Sequence, residues 1–68
     1  MDLIEVGDSG IRLGQLLKLA GLVDSGGEAK TVLAEGRVKV NGSVEVRRGA
    51  QLNPGDVVQV PGATVQLS

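Results

Sequence analysis

Sixty-eight residues leave room for one domain, residues 1–68, with one small core that is marginal on surface-to-volume grounds. The chain has no Cys and no His, which excludes disulfide staples, thiolate metal sites and every Ser/His/Asp or Cys/His catalytic set. It also has no aromatic residue, which excludes base stacking on Phe, Tyr or Trp and demands an aliphatic core, while a formal net charge of −1 speaks at first against nucleic acid.

In chain order, Leu3, Ile4, Glu5 and Val6 read as a short strand, followed by a turn cluster over residues 7–10. Leu13, Leu16, Leu17 and Ala20 then recur at i, i+3, i+4 and i+7, the apolar stripe of a first helix. Gly21 stands where a left-handed residue stops a helix, and Leu22 can fold back onto it. The run Ser25-Gly26-Gly27-Glu28 matches the S-x-x-E capping box. It predicts a second helix in which Ser25 accepts from an early N–H and Glu28 reaches back. Ala29, Val32 and Leu33 form its inward stripe, and Gly36 ends it. Glu28 and Glu35 fall on one flank of this helix and Lys30 on the other.

After Gly36 the period changes to two. Arg37-Val38-Lys39-Val40 and Ser43-Val44-Glu45-Val46 alternate on either side of Asn41-Gly42, a hairpin signal. A strict two-residue loop sets Val40 opposite Ser43. A loop one residue longer sets Val40 opposite Val44 and Lys39 opposite Glu45, and keeps all four valines on one face. That pattern predicts a bulge or a three-residue loop. Arg47-Arg48-Gly49 begins an irregular stretch, and Asn53-Pro54-Gly55-Asp56 fits a type II turn. A strand over 57–60, a turn at Pro61-Gly62 and a last strand over 63–67, set beside the first strand, complete the chain. The order predicts an α+β fold, a two-helix motif packed on a small antiparallel sheet. No apolar run approaches the roughly 20 residues of a membrane span, and no cationic start precedes an apolar stretch. The expectation is a cytoplasmic protein with no membrane partner.

The charge is unevenly spread. Asp2, Glu5 and Asp8 are the only charges before Ile11, and Asp56 is the only one after Gly49. Between them lie Arg12, Lys18, Lys30, Arg37, Lys39, Arg47 and Arg48 against Asp24, Glu28, Glu35 and Glu45. The positive charge is therefore concentrated in the middle of the chain, as phosphate recognition needs. Arg47 and Arg48 have no obvious acidic partner, whereas Lys39 has Glu45 across the hairpin. The scattered carboxylates and the lack of His and Cys predict no enzyme, no metal and no cofactor. There is no G-x-G-x-x-G and no Walker-type loop.

Several of these pieces together resemble the S-four RNA-binding domain family. They are Ile11-Arg12-Leu13 through Leu16-Leu17, Ser25-x-x-Glu28-Ala29-Lys30, Glu35-Gly36-Arg37-Val38-Lys39-Val40-Asn41-Gly42 and Pro54-Gly55-Asp56-Val57-Val58. The likeness covers about residues 11–60 and is closest to short, free-standing bacterial members. It implies an S-four-like fold with the αL-type helix pair, and binding of structured RNA, ribosomal or tRNA-like, by a monomer. Carried over position by position, it implies contacts from Arg12, Ser25, Lys30, Arg37 and Lys39, with Arg47 and Arg48 on a more variable side. Two positions depart from the family: Gly14 stands where many members have an acid, and Gly26 where many have an arginine. The bare N–H groups at a glycine-rich helix start can themselves hold a phosphate.

Two other classes compete. One is a protein-interaction module of the same fold, docking on a ribosomal or other protein. The other is a small β-grasp carrier, which shares Val-Asn-Gly and Pro-Gly-Asp-Val-Val. Such carriers end in Gly-Gly, and this chain ends Val65-Gln66-Leu67-Ser68.

Overall fold

The computed structural model describes residues 2–68, and its elements follow the hydrophobic pattern. In chain order they are β1 (Asp2–Ile4), β2 (Ile11–Arg12), α1 (Leu13–Leu19), α2 (Gly26–Ala34), β3 (Lys39–Val40), β4 (Ser43–Val44), β5 (Gln51–Leu52), β6 (Val57–Val60) and β7 (Ala63–Leu67). Five strands form a sheet in the order β1-β7-β6-β3-β4, while β2 and β5 form a separate antiparallel ribbon. The α+β class holds. The sheet is mixed, however, because β1 runs parallel to β7, with Leu3 beside Gln66 and Ile4 beside Leu67. The sequence placed β1 beside β7 but carried no signal for its direction. Strand β5 lay in what read as an irregular stretch, and Ile11-Arg12 stood at the head of the first helix, since two-residue strands are too short to show a period.

Both helices stop at glycines of left-handed conformation, Gly21 (φ 71°) and Gly36 (φ 72°). At the end of α1, Gly21 N–H donates to Lys18 O at 3.1 Å and Leu22 N–H to Leu17 O at 2.9 Å. This is the paired closure that satisfies orphan carbonyls and turns Leu22 back toward the core. The same closure ends α2, with Gly36 N–H on Leu33 O and Arg37 N–H on Val32 O.

The helix pair packs on one face of the sheet around an aliphatic core. Leu13, Leu16 and Leu17 come from α1, Ala29 and Leu33 from α2, and Val38, Leu52, Val58, Val65 and Leu67 from the strand side, all buried. Val40, Val58 and Val65 lie side by side across β3, β6 and β7 on the inner face. Lys39, Gln59 and Thr64 form the matching row on the outer face.

The hairpin corrects the sequence reading. Its register is Val40 with Ser43 and Lys39 with Val44, the strict two-residue loop. Asn41 (φ 52°) and Gly42 (φ 86°) are both left-handed, as a type I′ turn requires. That turn matches the right-handed twist of the strands it joins, and Asn tolerates the conformation better than most residues. Four inward valines were not needed, because β4 is an edge strand over an uncovered outer face. Val38 is buried, whereas Val44 and Val46 are 54% and 57% exposed. Lys39 consequently faces Val44 and Gln59, and the expected Lys39–Glu45 pair does not form.

The turn is latched to the 53–56 turn. Asn41 Nδ2 donates to Asp56 Oδ1 at 3.1 Å, and Asn41 Oδ1 accepts from Val57 N–H at 2.9 Å. Asp56 Oδ2 in turn accepts from Asn53 N–H at 2.8 Å. The Val-Asn-Gly and Pro-Gly-Asp-Val-Val segments, remote in sequence, are two halves of one hydrogen-bonded corner. Asn41→Ala is expected to lower stability by about 1–3 kcal/mol in urea denaturation, through the lost bonds and a strained φ. Asn41→Gly separates the two causes, since it relieves the strain and still loses the bonds. Equal stability of both variants and the wild type would show that the corner is not fastened this way.

Candidate nucleic-acid interface

The N-cap position of α1 is Arg12, whose side chain has donors only and therefore cannot cap an N-terminus by accepting. The orphan N–H groups of the first turn are met from elsewhere in the chain. Leu13 N–H donates to Ala50 O and Gly14 N–H to Arg48 O, each at 2.9 Å. Gln15 Oε1 accepts from Arg12 N–H at 3.3 Å, and Arg12 Nη1 donates to Gly49 O at 2.7 Å. The loop after the hairpin is thereby tied to the start of α1.

Gly14 leaves room for the Arg48 side chain at this junction. A Cβ there would run into the Arg48 side chain at Cγ and stand 3.1 Å from its Cδ. The residue read in the sequence as a missing charge is the point where the Arg48 stem crosses the helix.

This docking encloses a cleft of about 310 Å³ lined by Arg12, Gly14, Gln15, Lys18, Gly26, Ala29, Arg48 and Gly49. Arg12, Lys18 and Arg48 are exposed, and among the described residues none of them enters an ion pair. Gly26 opens α2, so the N–H groups and the positive dipole end of that helix adjoin the three cations. Both glycines that depart from the family pattern line this one cleft.

A second groove of about 300 Å³ is lined by Gly36, Arg37, Lys39, Gln59, Val60 and Pro61. Arg37 reaches Glu35 at 3.8 Å, with both side chains more than half exposed. Such a pair contributes little and leaves Arg37 available.

The structure thus brings Arg12 and Arg48 together in one concavity and Arg37 and Lys39 in another. Ser25 serves as the cap of α2, accepting from Glu28 N–H at 3.2 Å, without the reciprocal bond from Glu28. Lys30 is exposed on α2 and lines neither concavity. Arg47 is not partnerless: its Nη2 donates to Glu45 Oε1 at 3.2 Å and its Nε to Glu45 Oε2 at 3.3 Å. The hydrogen bond from the Arg47 side chain is the chief cause holding the Glu45 carboxyl below its usual range, and it raises Arg47 in turn. The sequence reading missed this pair because it looked for partners across strands, and Glu45 lies two residues back in the chain, just past the end of β4.

Lys18 and Gln15 were also missed. Lys18 stands four residues after Gly14 and three after Gln15, so all share one helix face. Only the docking of the 48–50 loop makes that face a cleft wall.

The S4 domain family model matches residues 4–68. This chain belongs to the S4 domain family. The match extends beyond the segment of about 11–60 that carried the likeness, taking in β7 and, of β1, Ile4. YbcJ of Escherichia coli (strain K12) is 44% identical over 57 residues, covering 84% of this chain and 81% of YbcJ. The Bacillus subtilis (strain 168) protein named "Probable ribosome maturation protein RlbA" is 52% identical over 52 residues, covering 76% of this chain and 73% of that protein. The solution structure of YbcJ, reported to reveal an αL motif involved in RNA-binding, superposes with a TM-score of 0.76 at 40% identity. It covers 98% of this chain and 86% of YbcJ. The S4 fold seen here is therefore shared over nearly its whole length.

Proposed function

We propose that this S4-domain protein binds structured RNA through its basic cleft and performs no reaction on it. The observation that carries the reading is the cleft itself, where Arg12, Lys18 and Arg48 converge beside the open start of α2. Arginine forks suit phosphate oxygens, and helix N–H groups add fixed donors. The groove at Arg37 and Lys39 supplies a second point of contact. The acids Asp2, Glu5 and Asp8 line neither concavity, which explains how an acidic chain can present basic sites. With no aromatic side chain for stacking, recognition falls to phosphates, 2′-hydroxyls and shape, which favours helical or folded RNA. The αL motif of YbcJ supports RNA as the ligand class. The name of the B. subtilis relative makes ribosomal RNA the first candidate, ahead of tRNA-like RNA.

Titration of the wild-type protein with structured ribosomal RNA fragments at several salt concentrations tests this. If about four phosphates are engaged, log K against log salt falls with a slope of about −3 to −4. A flat response, or no binding at low salt, would overturn the reading and favour docking on a protein through the exposed Val44 and Val46.

A further inference from the structure

The chain between β4 and β5 carries Arg48 into the cleft, and one carboxylate shapes it. Glu45 Oε2 accepts from the N–H of Val46 at 2.9 Å, the N–H of Arg47 at 3.1 Å and Arg47 Nε at 3.3 Å, while Oε1 accepts from Arg47 Nη2 at 3.2 Å. Immediately beyond, Ala50 N–H closes a turn onto Arg47 O at 3.2 Å. The carbonyls of Arg48, Gly49 and Ala50 are then engaged by Gly14 N–H, Arg12 Nη1 and Leu13 N–H. Every backbone group fixed in this way restrains the direction in which the Arg48 side chain leaves the loop. Its stem lies over Gly14, where any side chain would displace it.

We infer that Glu45 is a positioning residue for RNA binding, which fixes residues 46 and 47 at the entry to the 47–50 turn that delivers Arg48 into the cleft. The inference rests on the RNA-binding reading above. It has an unusual sign. A carboxylate near a phosphate site ordinarily weakens RNA binding by repulsion, so deleting it should strengthen binding. A positioning carboxylate does the reverse, because the loop and its arginine must then be ordered at the moment of binding.

The test compares Glu45→Ala with Glu45→Gln in the full chain. Both remove the charge, but Gln keeps an acceptor oxygen for the Val46 and Arg47 N–H groups. Glu45→Ala is expected to bind structured ribosomal RNA about three- to tenfold more weakly than wild type, the cost of ordering one loop side chain. Glu45→Gln is expected to bind at least as tightly as wild type. Amide hydrogen exchange supplies a readout that needs no RNA: in Glu45→Ala, Gly14 N–H should exchange faster while Leu33 N–H in the core stays as in wild type. Glu45→Ala binding as tightly as Glu45→Gln, or unchanged Gly14 exchange, overturns the positioning role and leaves the RNA-binding reading standing. Wild-type protein that binds no RNA overturns both.

Discussion

Lys18→Glu combined with Arg48→Glu is expected to weaken binding to structured RNA about a hundredfold or more, since each charge-assisted contact contributes about 1.5–3 kcal/mol. Both side chains line the cleft, are exposed and lie outside every ion pair among the described residues, so their reversal should not disturb folding. Arg12 is left intact for the opposite reason. Its Nη1 holds Gly49 O, and its loss would mix a structural effect with a binding one. The salt slope should fall by about one for each phosphate contact removed. Lys30→Glu is the natural comparison, because Lys30 lines neither concavity. It should cost much less through general repulsion alone. Fluorescence anisotropy at two salt concentrations, with circular dichroism to verify folding, gives the answer. Equal losses for the double variant and for Lys30→Glu would mean that RNA senses only overall charge, and the cleft would lose its special status.

The largest effect on stability belongs to α1. Leu16 is fully buried where the helix pair meets the sheet, in a core with no aromatic ring to contribute area. Leu16→Ala should cost about 2–5 kcal/mol, the lost transfer energy plus the cavity left behind. At about 0.05–0.15 kcal/mol per residue, a chain of 68 residues has only about 3–10 kcal/mol in all. The variant should therefore melt about 8–40 °C lower, at about 4–8 °C per kcal/mol for a domain of this size. A loss below about 1 kcal/mol would show that α1 is not an integral part of the core, and the cleft built on it would need another foundation. RNA should partly restore the melting temperature if it binds only the folded form, by an amount that grows with the logarithm of RNA concentration.

The parts of the fold that were legible in the sequence are those whose cause is local. The stripe of Leu13, Leu16 and Leu17 follows from helical spacing alone, and all three are buried. Gly21 and Gly36 end the helices because positive φ is cheap only for glycine. Ser25 caps α2 because its hydroxyl is at the right distance from the Glu28 N–H. The strand over Val57–Val60 and the last strand were read from valine-rich runs bounded by the turn residues Pro54-Gly55 and Pro61-Gly62. The combination of such local pieces in order is also what makes family membership legible in the sequence.

The failures share a different cause. The hairpin register turned on whether burying valines or completing a type I′ turn mattered more. That depended on whether the outer sheet face is covered, a property of the assembled sheet. The parallel direction of β1 was invisible because alternation is the same in either direction. The short β2–β5 ribbon exists because Ile11 and Arg12 pair with Leu52 and Gln51, some forty residues distant. The basic cleft itself is a tertiary object. Arg12, Lys18 and Arg48 are mere surface charges along the chain, and they converge only because carbonyls of the 48–50 loop satisfy the first N–H groups of α1. Gly14, with no side chain, leaves space for the Arg48 stem to cross the helix. Local spacing, capping and backbone freedom thus determined the elements of this protein from its sequence, while the site was decided in the folded structure, where long-range hydrogen bonds choose which charged side chains become neighbours.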